Sequence, residues 1–498
     1  MSETGNIGRW LERHASFTPD KTAIAFADRN ISYAALDRWA SGLATTLATE
    51  HGIGRGDRVA WLGLNRPETI ALLFACARLG AIMVPLNWRL AEAELAFIVE
   101  DCAPGVIACD ETFGDTARAI ARARPVVSGD NLSDVLPDTP ARQWPGTISD
   151  PLLVVYTSGT TGRPKGTVLD QNALLFNALN SLDMHAMTAH DRVLVVLPLF
   201  HVGGLNIQLT PALYCGATVH LHERFDPAAT LAAIETARPD LLVLVPATMD
   251  ALRRQPRWAD ADLSSLRMLT TGSSVVPLEL IQCFEDRGVS VIQVYGSTET
   301  CPIAAYQRPG EGRTLPLSTG RVGLHSEVRL VDRDGRPVDG AGRDGEIQVR
   351  GPHVMRDYWN RPEETAAVLK DGWFSTGDIG RFDAAGNLYF QDRLKRMIIS
   401  GGENIYAAEI ERVLHTIDGI QEACVVGRAD EHWGEVPVAA IVPRAGMAPS
   451  EYAIRQVLSR ELARFKHPKA YHFVAELPRN AMGKVIADEV RSMIESVE

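Results

Sequence analysis

Through the first four fifths of the chain, short apolar runs alternate with amphipathic stretches. LLVVY (152–156), RVLVVLP (192–198), DLLVLVP (240–246), LRMLT (266–270) and VSVIQVY (289–295) have the length and unbroken apolarity of buried strands. Helical stretches such as DPAATLAAIETA lie between some of them. Apolar strands alternating with helices predict mostly parallel sheets covered on both faces. Around 328–350 the texture changes. EVRLVDRDGRPVDGAGRDGEIQVRG reads as two strands joined by a Gly- and Asp-rich connection, an antiparallel element.

Near 392 a charged stretch, DRLKRM, precedes a self-contained α+β pattern. In IYAAEIERVLHTI, Ile410, Val413, Leu414 and Ile417 share one helical face. Ile454, Val457, Leu458, Leu462 and Phe465 do the same in YAIRQVLSRELARF. ACVVG and VAAIVP supply strands. The pattern predicts a body over 1–391, a connector at 392–396 and a smaller domain over 397–498.

Composition narrows the class. The chain has 498 residues, 46% hydrophobic and 22% charged, so it is globular and long enough to bury a core without metal or disulfide staples. Fifty basic against 62 acidic residues leave a net charge of −12. That balance argues against nonspecific nucleic-acid binding and against adsorption to anionic membrane. The seven cysteines are scattered and form no C-x-x-C, which reads as buried thiols in a reducing compartment. MSETGNIGRW lacks a signal-peptide core, and the apolar runs fall far below the ~18 residues of a membrane span. The expectation is a cytoplasmic protein.

The densest chemical signal is TSGTTGRPKG (157–166), directly after a strand. Glycines let backbone N–H groups converge on an anion, hydroxyls donate, and lysine adds charge, so the stretch suits a phosphate cradle. It is not a Walker A loop, because Pro164 stands where that pattern from Gly159 requires glycine. His220, His222 and Glu223 are explained by alternation on a strand rather than by zinc.

TSGTTGRPKG resembles the signature of the adenylate-forming superfamily of acyl- and aryl-CoA synthetases, luciferases and peptide-synthetase adenylation domains. PLFHVGG (198–204), TTGSS (270–274), YGSTE (295–299), GEIQVRG (345–351), WFSTGD (373–378), DRLKRMIISGGENIYAAEIE (392–411) and PRNAMGK (478–484) follow in that family's order. The resemblance implies an α/β fold. Its large N-terminal domain would hold two helix-covered, mostly parallel sheets and a small β-rich subdomain, beside a smaller mobile C-terminal α+β domain. It also implies an ATP- and Mg²⁺-dependent ligase that makes an acyl-adenylate and passes the acyl group to CoA. A carrier protein is the alternative acceptor, and a homodimer is compatible with the family.

Residue by residue, the resemblance places Thr157, Ser158, Gly159, Thr160, Thr161, Gly162 and Lys165 on the ATP phosphates. Tyr295 would stack on adenine beside Gly272, Ser273 and Ser274. Gly296 and Thr298 would complete the nucleotide site, and Glu299 would be the magnesium ligand. Asp378 and Arg393 would read the ribose. Lys484 would bridge the carboxylate and the α-phosphate, where a cation stabilises developing charge. Thr161 and His201 join Lys484 and Glu299 among the catalytic candidates. Lys395 would be the hinge that exchanges Lys484 for the 401–411 loop between half-reactions. Gly401, Gly402, Trp433, Phe465, Lys466 and Lys469 would meet CoA. His467 stands where close relatives carry arginine, and Met482 where threonine is usual.

The acid would sit behind His201, Val202, Gly203 and Gly204, with Val275, Cys301, Pro302 and Ile303 as further walls. No Arg or Lys occurs in 198–212. The uncharged segment predicts an apolar tail: an aromatic acid or a medium-chain fatty acid.

Overall fold

A computed structural model of the protein describes residues 6–129, 144–157, 164–273, 276–400, 403–430, 433–462, 464–480 and 483–496. The chain divides into two compact units, Met1–Val328 with Val349–Phe374, and Arg329–Gln348 with Ser375–Glu498.

In the first unit the apolar runs become two sheets. The nine-stranded sheet has a parallel centre of Thr22–Phe26, Thr218–Leu221, Arg192–Val195, Leu241–Val243, Met268–Gly272 and Ser290–Tyr295, in that spatial order. Antiparallel strands close both edges. The seven-stranded sheet runs Val126–Ser128, Val106–Cys109, Arg58–Leu62, Ile82–Leu86 and Pro151–Thr157 in parallel. Lys165–Asp170 returns antiparallel, and Asp357–Tyr358 adds antiparallel to it. The helix Pro67–Leu79 is buried at every position; its run from Ile70 to Ala77 is apolar all round, and the buried Arg78 pairs with Asp37. Its Ile70 and Phe74 share one core with Val59 and Leu153 of one sheet and Val219 of the other.

The strands are shorter than some apolar runs. DLLVLVP yields only Leu241–Val243, because Val245 caps and Pro246 starts the helix Pro246–Arg253. Proline suits that first helical position, since its missing N–H has no partner there anyway.

A five-stranded sheet follows the texture change at 328. Glu327–Val331, Asp344–Arg350 and Trp373–Phe382 are neighbours in it, and Leu388–Arg393 pairs antiparallel with Trp373–Phe382. The last sheet orders Glu403–Tyr406, Met397–Ser400, Gly434–Pro443 and Ile420–Asp430, with Tyr471–Phe473 beside Gly434–Pro443. Strand alternation splits its core in two. Ala439 and Ile441 pack with Ile410 and Leu458, while Val438, Ala440 and Val442 pack with Val490 and Ile494. The helix Glu451–Glu461 ends before the apolar periodicity does. Leu462 is extended, so Phe465 falls in a separate turn, Arg464–Lys466.

All seven cysteines are free and five are buried; burial pushes the Cys76 thiol up to about 12. Among the described residues no helix is long and apolar enough to cross a membrane.

Candidate active site

Met268–Gly272 and Ser290–Tyr295 run parallel with Gly272 opposite Val294. Gly272 and Tyr295 therefore leave the sheet at the same carboxyl edge, where open α/β sheets bind ligands. Tyr295 is buried, and the exposed Ser273 takes a φ of +73°. The next turn is close-set: a Cβ on Gly296 would lie 1.7 Å from the Pro302 carbonyl oxygen, so only glycine fits. Thr298 and Glu299 occupy one helical turn, Thr298–Thr300, which the Ser297 N–H pins by donating to Thr300 Oγ1 at 2.9 Å.

Thr157 and Lys165 face each other across the antiparallel pair that flanks the Gly- and Thr-rich segment. A second segment straps this pair to the Glu299 turn. Met355 N–H donates to the Glu299 carbonyl at 2.7 Å, and Trp359 N–H to the Gly166 carbonyl at 2.7 Å. Between those anchors lies Tyr358. Its hydroxyl donates to Glu299 Oε1 at 2.9 Å, and its ring centroid is 4.4 Å from Lys165 Nζ. Burial, and then the Glu299 charge, push the Tyr358 pKa up, so the hydroxyl stays a donor. Lys165 also pairs with Glu364 at 3.0 Å. Tyr358 and Glu364 escape a sequence reading, because only strand pairing brings MRDYWNRPEE to the lysine.

His201 precedes the turn Val202–Gly204, its ring 4.9 Å from that of Phe200. Arg89 lies over Trp88 and Phe200, at 5.0 and 5.8 Å from the ring centroids. This cation beside the apolar segment is a second feature the sequence did not reveal. A Cβ on Gly204 would meet the Pro198 carbonyl at 2.3 Å, whereas one on Gly203 would find nothing nearer than 4.0 Å. Val202, Cys301, Pro302 and Ile303 are buried. One polar stripe on the helix Gln171–His185 ties the two walls together. Asn177 Oδ1 accepts from Ile303 N at 3.2 Å, and its Nδ2 donates to the Asn206 carbonyl at 2.7 Å. Ser181 Oγ donates to the Ile207 carbonyl at 2.6 Å.

In the second unit, Asp378 and Arg393 are directly opposed on paired strands, 2.7 Å apart, with Asp378 buried. Lys484 closes a turn in which Asn480 N–H donates to its carbonyl at 2.9 Å and its own N–H donates to Asn480 Oδ1 at 3.0 Å. The residue is exposed. Desolvation first, and then the Arg393 cation, still hold its ammonium pKa below the usual lysine value, while Asp378 opposes them. Three candidates for handling an adenylate thus cluster within this unit.

Lys395 sits in the turn Leu394–Arg396. The chain is anchored on both sides of it: after it Arg396 pairs with Glu411, and before it the buried Asp392 Oδ2 accepts from Ala408 N at 2.9 Å at the start of the helix Ala407–Leu414. Trp433 is 46% exposed and Lys469 is exposed. Lys466 Nζ is bound at 2.7 Å to both oxygens of Glu409. Phe465 lies in the turn Arg464–Lys466. Ser158, Gly159, Thr160, Thr161, Gly162, Ser274, Val275, Gly401 and Gly402 lie outside the described residues.

Residues 11–359 match the AMP-binding enzyme family, and residues 409–484 match the AMP-binding enzyme C-terminal domain. The chain is 49% identical over 501 residues to an indoleacetate–CoA ligase of Aromatoleum aromaticum, covering 98% of each. It is 40% identical to a feruloyl-CoA synthase of an Amycolatopsis species, over 97% of this chain and 98% of that one. Among solved structures it resembles the o-succinylbenzoate CoA synthetase of Bacillus subtilis in complex with ATP and magnesium ion. There the TM-score is 0.87 at 32% identity, over 97% of this chain and 99% of that one. The chain belongs to the AMP-binding enzyme family, as an adenylate-forming acyl- or aryl-CoA synthetase.

Proposed function

We propose that the protein joins an aromatic carboxylic acid, of the arylacetic or arylacrylic kind, to CoA at the expense of ATP. The observation that carries the acid class is the buried, uncharged wall formed by Val202, Gly204, Cys301 and Ile303. Arg89 lies over Phe200 beside this segment, but the wall itself offers a charged tail no partner, whereas a flat ring would bury its faces against aliphatic surface. The names of the two relatives, which take indoleacetate and a feruloyl acid, support the same class.

In the first half-reaction a carboxylate oxygen attacks the α-phosphorus of ATP. The bond from that phosphorus to the pyrophosphate oxygen breaks, leaving acyl-adenylate and pyrophosphate. The segment 157–165 holds the outgoing phosphates, with Lys165 as its cation. Glu299 presents a hard carboxylate, one oxygen oriented by Tyr358, which fits a magnesium ion. Mg²⁺ bound there would screen phosphate charge. Tyr295, Gly272 and Ser273 hold adenine. Asp378 and Arg393 hold the ribose. Lys484 neutralises the charge that gathers between carboxylate and α-phosphate, and His201 borders the carboxylate.

In the second half-reaction the CoA sulfur attacks the acyl carbon, the thiol proton is lost, and the bond to AMP breaks. We assign residues 392–396 as the hinge and 397–498 as the mobile domain, with Lys395 as the pivot. Arg396, immediately after Lys395, is tied to Glu411 of that domain, and rotation about Lys395 would release the hydrogen bond from Ala408 N to Asp392 that spans the hinge. Trp433 and Lys469 are the more accessible CoA contacts, since Glu409 already neutralises Lys466.

The test is a panel of purified-enzyme assays with ATP, Mg²⁺ and CoA, reading AMP and thioester for indole-3-acetate, cinnamates, benzoates and C8–C14 fatty acids. Aromatic acids are expected to give equimolar AMP and thioester. Turnover of fatty acids with none of aromatic acids would overturn the assignment.

A further inference from the structure

The segment after His201 contains an irregular turn. Leu205–Leu209 is π-helical, with Thr210 N–H donating to the Leu205 carbonyl five residues back. Such insertions are uncommon and concentrate at functional sites. They place one side chain where a regular helix would not. Here that side chain is Gln208, 2% exposed and facing the polar stripe of the helix Gln171–His185.

Its amide orientation follows from its neighbour. His185 Nδ1 lies 2.8 Å from the Ser181 carbonyl, which can only accept, so Nδ1 carries the proton. Burial, its largest cause, lowers the His185 pKa to about 4, so the ring is neutral and Nε2 is an acceptor. The Thr270 hydroxyl at 2.8 Å donates to that nitrogen, so its oxygen can only accept from Gln208, whose Nε2 lies 3.4 Å from it and 3.1 Å from His185 Nε2. The Gln208 amide nitrogen therefore faces His185, and Oε1 faces away. Oε1 is buried and has no partner among the described residues.

Gln208 lines a cavity of about 10 Å³ together with Gly203, Gly204, Leu194, Leu197 and Val243. The two glycines belong to the segment assigned above to the acid, so the cavity adjoins that pocket. Its other side chains are aliphatic, so Gln208, with its unpartnered Oε1, brings the one polar side chain to the described lining. A buried acceptor without a partner discriminates strongly, because a ligand lacking the donor leaves it unpaired.

We propose that Gln208 is a specificity-determining residue whose Oε1 accepts a hydrogen bond from an N–H or O–H borne on the aromatic ring of the acid. This rests on the aromatic-acid reading and names the feature of the ring that is recognised. An indole N–H and a phenol O–H share this chemistry.

Two matched pairs separate them: indole-3-acetate against benzothiophene-3-acetate, and 4-hydroxycinnamate against 4-fluorocinnamate. The readout is kcat/KM for thioester formation by the full-length wild type and by Gln208→Met. In at least one pair the donor-bearing acid is expected to lead by roughly 10- to 100-fold in the wild type. Gln208→Met should bring that ratio within about threefold of one. The pair that responds identifies the donor. A ratio near one for both pairs in the wild type overturns the proposal without any variant, so a misfolded variant does not protect it. A large ratio that Gln208→Met leaves unchanged also overturns it, and means that Oε1 meets only water. Absence of thioester from all four acids sinks the aromatic-acid reading itself, and the proposal with it.

Discussion

The Tyr358 hydroxyl donates to Glu299 at 2.9 Å while the face of the same ring sits 4.4 Å from the Lys165 ammonium. One side chain thus fixes both the carboxylate suited to the metal and the cation suited to the phosphates. Tyr358→Phe keeps the ring beneath Lys165 and removes the donor. A hydrogen bond to a charged acceptor contributes about 1.5–3 kcal/mol, and the partial exposure of Glu299 puts this one near the lower end. The Mg²⁺ concentration that half-saturates pyrophosphate exchange is expected to rise about 10-fold, with little change in KM for ATP at saturating metal. Tyr358→Ala also loses the cation–π seat, and should raise KM for ATP as well. An unaltered Mg²⁺ dependence in Tyr358→Phe would leave the tyrosine a structural role only.

Gly203 and Gly204 adjoin each other but differ in what surrounds them. A side chain at Gly204 would collide with the carbonyls of Pro198 and Leu197, which are backbone and cannot yield cheaply. Gly204→Ala should therefore destabilise the first unit by about 1–3 kcal/mol, seen as a lowered melting temperature. At Gly203 there is room, so Gly203→Leu should fold normally. It should instead shrink the acid pocket, lowering kcat/KM for indole-3-acetate well below that for benzoate. Unchanged acid preference in a folded Gly203→Leu enzyme would move the pocket elsewhere.

This contrast marks how far the sequence was legible. Parallel sheets follow from runs such as VSVIQVY, and the observed strand Ser290–Tyr295 begins within one residue of the apolar run. The placement of Gly272 and Tyr295 at one sheet edge was also readable, since they close consecutive strands of one sheet. Tyr358, Arg89 and Gln208 were not. Each acts through a partner more than twenty residues away in the chain, Tyr358 through Glu299, Arg89 through Phe200 and Gln208 through His185. Period and spacing carry no record of such pairings. The early end of the helix at Glu461 is a milder case, where an apolar face continued past the helix itself.

Two buried histidines set an acid limit on stability. Desolvation, the main cause at both, lowers His185 and His353 to about 4, against about 6.5 in the unfolded chain. Between those values the unfolded state binds more protons, so stability is complete above pH 6.5 and falls as pH drops toward 4. Each histidine removes at most about 3 kcal/mol over that window. The melting temperature is expected to decline from pH 6.5 to 4, and His353→Gln should flatten part of the decline. An identical slope in a folded variant would assign the loss to carboxylates instead.

Lys484 provides the sharpest test of a two-step mechanism. It lies near Arg393 and Asp378, and it carries positive charge only while protonated. If it acts in adenylation alone, Lys484→Ala should cut acyl-adenylate formation by about 10²–10³-fold, the usual loss of one transition-state stabiliser. Thioester formation from supplied acyl-adenylate should stay within about threefold of wild type. Equal losses in both steps would refute an exchange of the domain between half-reactions. The lowered pKa adds a pH signature. If adenylation uses the Lys484 ammonium, its rate should fall on the alkaline side below the ordinary lysine value of 10.5. Arg393 is one cause of the lowering, so Arg393→Gln should move that alkaline limb to higher pH, whatever it does to the maximal rate. A pH–rate profile of pyrophosphate exchange for the two enzymes reads the shift directly. A limb that stays in place would mean that the group titrating there is not Lys484, or that Arg393 does not act on it.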